Sequence, residues 1–165
     1  MLPIIQSTTF KYDTTDEMGR LFDLKDDGYF YTRVQNPTND MVAAKIADLE
    51  GGVAALLTSS GQAANFYATL NLCEAGDHLI STSTIYGGTF NLFAVTFKKL
   101  GIECTFVDPD ASPEEIEKAF RPNTKLVFGE TIANPALTVL DIEKFAKRPT
   151  PTACPSLWTT PLPPR

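Results

Sequence analysis

The chain has 165 residues, 43% of them hydrophobic and 21% charged, with a net charge of -6. That is enough for a domain of ordinary size with a real core, and an acidic balance without a basic stripe argues against nucleic acid as a partner. No apolar run approaches the roughly 20 residues of a membrane span and no charged segment precedes a signal-like core, so no membrane role is expected and the chain reads as cytoplasmic.

Residues 1–40 show little periodicity and are rich in aromatic and charged side chains, Phe10, Tyr12, Phe22, Tyr29, Phe30 and Tyr31 among them. They read as an arm lying over another surface or as a long ordered loop. A helix is predicted to begin at a Thr38 or Asn39 cap, to place Val42, Ile46 and Leu49 on one face, and to close at Gly51-Gly52. The apolar run Val53 to Leu57 predicts a buried strand, which feeds a helix over Gln62 to Leu72 through the turn Thr58-Ser59-Ser60-Gly61. At such a turn the first N–H groups of the helix lack partners and point outward with the positive end of its dipole. Gly61 allows an anion to come close, and the neighbouring hydroxyls add donors, so the turn is either a phosphate cradle or a plain capped turn.

Strand and helix then alternate. Strands are predicted over His78 to Ser83, Ile102 to Val107 and Lys125 to Gly129. A helix follows Tyr86-Gly87-Gly88, a second begins at Ser112-Pro113-Glu114-Glu115 with a cap and a capping-box glutamate, and a last one is capped by Asp141 and runs to Lys147. Units of this length imply a mostly parallel α/β sheet with right-handed crossovers and flanking helices. Ligands in such sheets sit beyond the carboxyl ends of the strands, and the turns at Ser60-Gly61, Tyr86-Gly87 and Glu130 to Pro135 all lie at that edge. Cys73, Cys104 and Cys154 are odd in number and lack metal spacing, so no metal is expected and the thiols read as buried and reduced.

Four groups are candidates for one pocket. Ser60, Gly61 and Gln62 would take a phosphate. Tyr86 would lay its ring on a flat heterocycle, or pack on the sheet as a hinge aromatic. Asn134, held out of the helical region by Pro135, would bond a ring substituent or shape a turn. Arg33, beside Tyr31, would pair with phosphate or stay solvated. His78 reads as a local hydrogen-bonding group, and Glu130 as a residue buried near the site or capping the next turn.

Five stretches resemble the Cys/Met-metabolism family of pyridoxal-phosphate enzymes, in order and in spacing: residues 29–38, 49–52, 59–64, 85–89 and 130–135. The resemblance implies a type I aminotransferase-like large domain, with residues 1–40 as an arm reaching a neighbouring subunit and 41–147 as part of the cofactor domain. It implies pyridoxal 5'-phosphate as cofactor, bound through Gly61 and Gln62, stacked by Tyr86 and bonded near its ring hydroxyl by Asn134. Tyr31 and Arg33 would hold the phosphate of a second copy, so the intact enzyme would be a homodimer or homotetramer. Within the family the chain most resembles the O-acetylhomoserine sulfhydrylases. These act on an amino-acid substrate and a sulfur donor to give homocysteine, and methionine γ-lyases and cystathionine γ-synthases are close relatives. A noncatalytic remnant that binds phosphate ligands is the reading from outside enzymology.

Two requirements of that chemistry have no match here, an aspartate on the pyridine nitrogen and a lysine that bonds the cofactor; the chain reads as truncated before them and is expected to be inactive alone. Residues 148–165 turn abruptly Pro-rich, with no acidic residue and no period. Read from the third base of the Arg148 codon, permitted codons give Ala-His-Ala-His-Gly-Val-Pro-Leu-Ile-Val-Asp-Asn-Thr-Phe-Ala-Thr-Pro, the continuation the family implies. The single tryptophan codon of Trp158, with Thr159, forces the aspartate. The segment therefore reads as an out-of-frame tail, and its prolines are expected to keep it from supplying a strand.

Overall fold

A computed structural model of the chain describes residues 3–146 and 154–159. It forms two compact units, Met1–Thr58 and Ser59–Arg165.

The first unit contains a helix that periodicity did not reveal, α1 (Thr15–Phe22), with Thr14 as its cap. Thr14 Oγ1 accepts from the Glu17 N–H and Glu17 accepts from the Asp13 N–H, close to the capping-box pattern Thr-x-x-Glu that was present in the sequence. The second helix, α2 (Pro37–Glu50), starts earlier than expected. Its cap is Asn36, not Thr38 or Asn39, and Pro37 occupies the first turn, where a missing N–H costs nothing. Asn36 is buried, and its amide also donates to the Ile5 carbonyl. Gly51 ends α2 in the left-handed region, φ 63°.

The strand expected over Val53 to Leu57 does not form. Val53 and Leu56 are fully or largely exposed. A strand is stabilised by its ladder and its neighbours, and no described strand pairs with this run.

The second unit is built on a four-stranded parallel sheet in the order β2-β1-β3-β4. The strands are β1 (His78–Thr82), β2 (Glu103–Val107), β3 (Thr124–Glu130) and β4 (Ser156–Thr159). Alternation sorts their side chains to two faces. Leu79, Leu126 and Phe128 pack with Phe93, Phe97 and Ile102, whereas Ile80 and Val127 pack with Ile116, Leu140 and Phe145. One face is covered by α3 (Gly61–Leu72) and by α4 (Gly87–Asn91), which continues as a π turn over Leu92–Phe97. The other is covered by α5 (Pro113–Ala119) and α6 (Ile142–Ala146). The predicted capping box is present: Ser112 accepts from the Glu115 N–H and Glu115 accepts from the Ser112 N–H. Asp141 likewise receives the Lys144 N–H.

The tail departs from expectation over residues 154–159. Ser156–Thr159 pairs with β3, and Trp158 lies over Gly129, where a Cβ would stand 3.1 Å from its ring. Proline does not prevent this. Ser156 to Thr159 contains none, and Pro155 contributes only its carbonyl, which accepts from the Val127 N–H. The remaining residues of 148–165 lie outside the described ones. Cys73 and Cys104 are free thiols. Burial pushes the Cys73 thiol up to about 11 and the Cys104 thiol up to about 12, so neither has thiolate character near neutrality.

Candidate functional site

Ser60 caps α3: its Oγ accepts from the Ala63 N–H at 3.1 Å, and its carbonyl accepts from the Ala64 N–H at 3.0 Å. Of the four N–H groups at this terminus, those of Gly61 and Gln62 remain without a described partner. They stand at the positive end of a helix of 12 residues. Gly61 faces open space.

These residues open on a cavity of about 490 Å³ at the carboxyl edge of the sheet, lined by Gly61, Gln62, Tyr86, Glu130, Asn134 and Thr159 among others. Tyr86 is half exposed and begins α4 in an extended conformation. Its ring crosses the face of Gly88, since a Cβ there would stand 2.5 Å from the ring edge. Glu130, at the end of β3, is buried, and one carboxylate oxygen accepts from the Tyr86 N–H at 3.0 Å. The other is buried without a described partner. A carboxylate at the start of a helix is favourably placed for the dipole, so Glu130 holds the Tyr86 loop against the sheet. Asn134 follows β3 and precedes Pro135 across a cis peptide bond. Thr159 reaches the cavity because β4 runs parallel to β3 and ends beside Glu130.

Ser60, Gly61, Gln62, Tyr86 and Asn134 are thus gathered at one edge of the sheet in the second unit, with Ser60 acting as the cap. Tyr31 and Arg33 belong to the first unit. There the Arg33 guanidinium lies 5.2 Å from the centre of the Tyr31 ring, and Tyr31 pairs with Thr9. The sequence reading did not single out Thr89 and Asn65, which cross-link α3 to α4 through Gln62. Nothing in the one-dimensional pattern marks a buried threonine hydroxyl as anything but packing.

The residues fit a phosphorylated aromatic group. Two helix N–H groups without a described partner and a side-chain amide offer donors to phosphate, a tyrosine ring flanks the space, and Asn134 offers both donor and acceptor. No group of three or more metal-ligating side chains occurs among the described residues. No described helix is long and apolar enough to cross a membrane.

The sequence model of the family described as Cys/Met metabolism PLP-dependent enzyme matches residues 1–154. The O-acetyl-L-homoserine sulfhydrylase of Leptospira meyeri is 46% identical over 146 residues, 88% of this chain and 33% of that protein. The homocysteine/cysteine synthase of Saccharomyces cerevisiae is 48% identical over 144 residues, 87% of this chain and 32% of that protein. A Campylobacter jejuni structure assigned to O-acetylhomoserine (thiol)-lyase, which holds N'-pyridoxyl-lysine-5'-monophosphate, superposes with a TM-score of 0.80 at 38% identity. That match covers 87% of this chain and 35% of the other. The chain spans about a third of the length of the curated relatives it matches.

Proposed function

The chain belongs to the Cys/Met metabolism PLP-dependent enzyme family, and from that premise we propose that it is part of an O-acetylhomoserine sulfhydrylase, which replaces the γ-acetoxy group of an amino-acid substrate with sulfur to give homocysteine. The observation that carries this reading is the convergence of Gly61, Gln62, Tyr86 and Asn134 on one cavity. Pyridoxal 5'-phosphate, when bound, supplies the electron sink that acidifies the carbon–hydrogen bonds of an amino-acid substrate. The chain's own residues do the rest of the holding. The Gly61 and Gln62 N–H groups take the phosphate, and the Tyr86 ring fixes the plane of the heterocycle. Asn134 would bond near the ring hydroxyl, and Glu130 keeps the Tyr86 loop in place. Tyr31 and Arg33 serve the phosphate of a second copy, so the working unit is at least a dimer.

We also read residues 148–165 as out of frame, with residues 1–40 as the arm and 41–147 as part of the cofactor domain. The shifted frame places its aspartate across Trp158 and Thr159, at the end of β4, and Thr159 lines the cavity. Genomic sequence across codons 145–170 is expected to carry one inserted or deleted base; an undisturbed frame there removes the idea.

The binding experiment uses the 165-residue chain. Pyridoxal 5'-phosphate is expected to bind saturably, in competition with inorganic phosphate, and Tyr86→Ala to abolish the binding. Borohydride is expected to fix no adduct on any single lysine, because no lysine lines the cavity among the described residues. Arg33→Ala is expected to weaken binding about tenfold, as loss of a charge-assisted contact does. Mixed with Tyr86→Ala chains it should regain one tight site per pair. Binding indifferent to Tyr86 sinks the reading, and no recovery in verified mixed dimers sinks the assignment of Arg33 to the second copy.

A further inference from the structure

The Gln62 side chain is held by Thr89 and Asn65, which line the same cavity. Its Oε1 accepts from Thr89 Oγ1 at 3.1 Å and from Asn65 Nδ2 at 3.4 Å, and Asn65 Nδ2 also donates to Thr89 Oγ1 at 3.3 Å. Thr89 is 1% exposed, so its hydroxyl has no water to turn to. Because Thr89 Oγ1 receives a proton from Asn65, its own proton is available to Gln62, and the amide oxygen is committed on that side. The other end of the amide, Nε2, has no acceptor among the described residues. It lies 2.7 Å from where a Cβ on Gly88 would stand, and the Tyr86 ring edge lies 2.5 Å from the same point. An amide whose oxygen is held and whose NH2 is unspent thus sits beside Tyr86 and at the first turn of α3.

We propose that Gln62 contributes its side-chain NH2 as a third donor to a phosphate ester in this cavity, and that Thr89 and Asn65 are positioning residues that keep the amide in its donor orientation. This rests on the functional reading above and deepens it. A phosphate dianion carries more acceptor sites than the two free N–H groups of Gly61 and Gln62 can fill, and the Gln62 amide adds two more hydrogens at the positive end of the helix. The arrangement selects phosphate monoesters over the same heterocycle without phosphate. Thr89 lines the cavity as well, so the comparison of Thr89→Val with Gln62→Ala separates action through Gln62 from direct contact with the ligand.

The test is calorimetric titration of the full 165-residue chain with pyridoxine 5'-phosphate, an alcohol that forms no bond with lysine, and with unphosphorylated pyridoxine. Gln62→Ala is expected to weaken binding of the phosphate ester roughly five- to tenfold. Gln62→Glu should weaken it further, because a carboxylate then faces the phosphate. Thr89→Val should match Gln62→Ala, Thr89→Ser should bind as the unaltered chain does, and Thr89→Val should add nothing when Gln62 is already alanine. Pyridoxine should be indifferent to all of these changes. Additive losses for Thr89→Val and Gln62→Ala, or a Gln62→Glu chain that binds the ester unchanged, overturn this proposal and leave the functional reading standing. Failure of the unaltered chain to bind pyridoxine 5'-phosphate overturns the reading itself, and the proposal with it.

Discussion

Phe128→Ala is expected to destabilise the second unit by about 3–5 kcal/mol, the range for truncating a buried phenylalanine. Phe128 is fully buried in β3, with β1 on one side and β4 on the other. Its ring meets Phe93 edge to face at 4.8 Å, and Phe93 stacks in turn on Phe97 at 5.5 Å. The cavity left by the substitution would therefore open between the sheet and the helical segment that begins at Tyr86. Net stabilities of domains are only about 5–15 kcal/mol, so a loss of this size removes a large part of the whole. Two residues further along β3 stands Glu130, which holds the Tyr86 loop, and ligand binding should fall with the fold. Urea unfolding followed by Trp158, the only tryptophan, gives the measurement. Val139→Ala, at a largely exposed position, serves as control and should change stability by less than about 0.5 kcal/mol. A Phe128→Ala chain within about 1 kcal/mol of the parent would contradict the core described here.

Acidification is expected to cost about 2 kcal/mol of stability by pH 5 and about 3 kcal/mol by pH 4 through His78 alone. The ring is wholly buried between strands, with Nδ1 2.8 Å from Thr124 Oγ1 and Nε2 2.8 Å from Thr105 Oγ1. Thr124 Oγ1 already accepts from the Arg121 N–H. Its proton can then go to Nδ1, which leaves Nε2–H to donate to Thr105, so the neutral ring is fully satisfied. Burial, with the nearby Arg121 charge and against the opposing Glu103, pushes the imidazole down from 6.5 to about 4. Above pH 6.5 neither the native nor the unfolded chain protonates the ring, and the linkage is silent. Between 6.5 and 4 the unfolded chain takes a proton that the native one refuses, so stability falls as pH falls through that window. His78→Gln removes the titrating group, at some cost at neutral pH. The stability gap between parent and variant should therefore narrow by about 2 kcal/mol from pH 7.5 to pH 5. Parallel pH profiles for the two proteins would show that His78 is not the group responsible.

Much of the site was legible because local chemistry fixes its parts. Ser60 before Gly61 caps a helix whatever surrounds it, and Ser112-Pro113-Glu114-Glu115 starts one for the same reason: short-range hydrogen bonds satisfy N–H groups that no distant residue could reach. The recurrence of strand and helix between His78 and Gly129 likewise specified a parallel sheet with flanking helices. The order of the motif turns placed Tyr86 and Asn134 at the carboxyl edge, because each follows a strand of the parallel sheet, whereas Gly61 was expected there after a strand that does not form.

What depends on partners distant in sequence was not legible. Val53 to Leu57 has the composition of a strand and remains exposed coil, because a strand exists only where another chain segment completes its ladder. Ser156 to Thr159 has the setting of a disordered proline-rich tail and becomes β4, because the edge of β3 offers hydrogen bonds and Gly129 leaves room for Trp158. Thr89 and Asn65 acquire their roles only when the fold brings α3 and α4 together, whereas Glu130 was expected near the site and is buried there. The sequence by itself determined the caps at Ser60, Ser112 and Asp141 and the sheet edge where the site lies. Tertiary structure alone decided which segments pair as strands and which buried polar groups meet, since both depend on contacts between residues far apart in the chain.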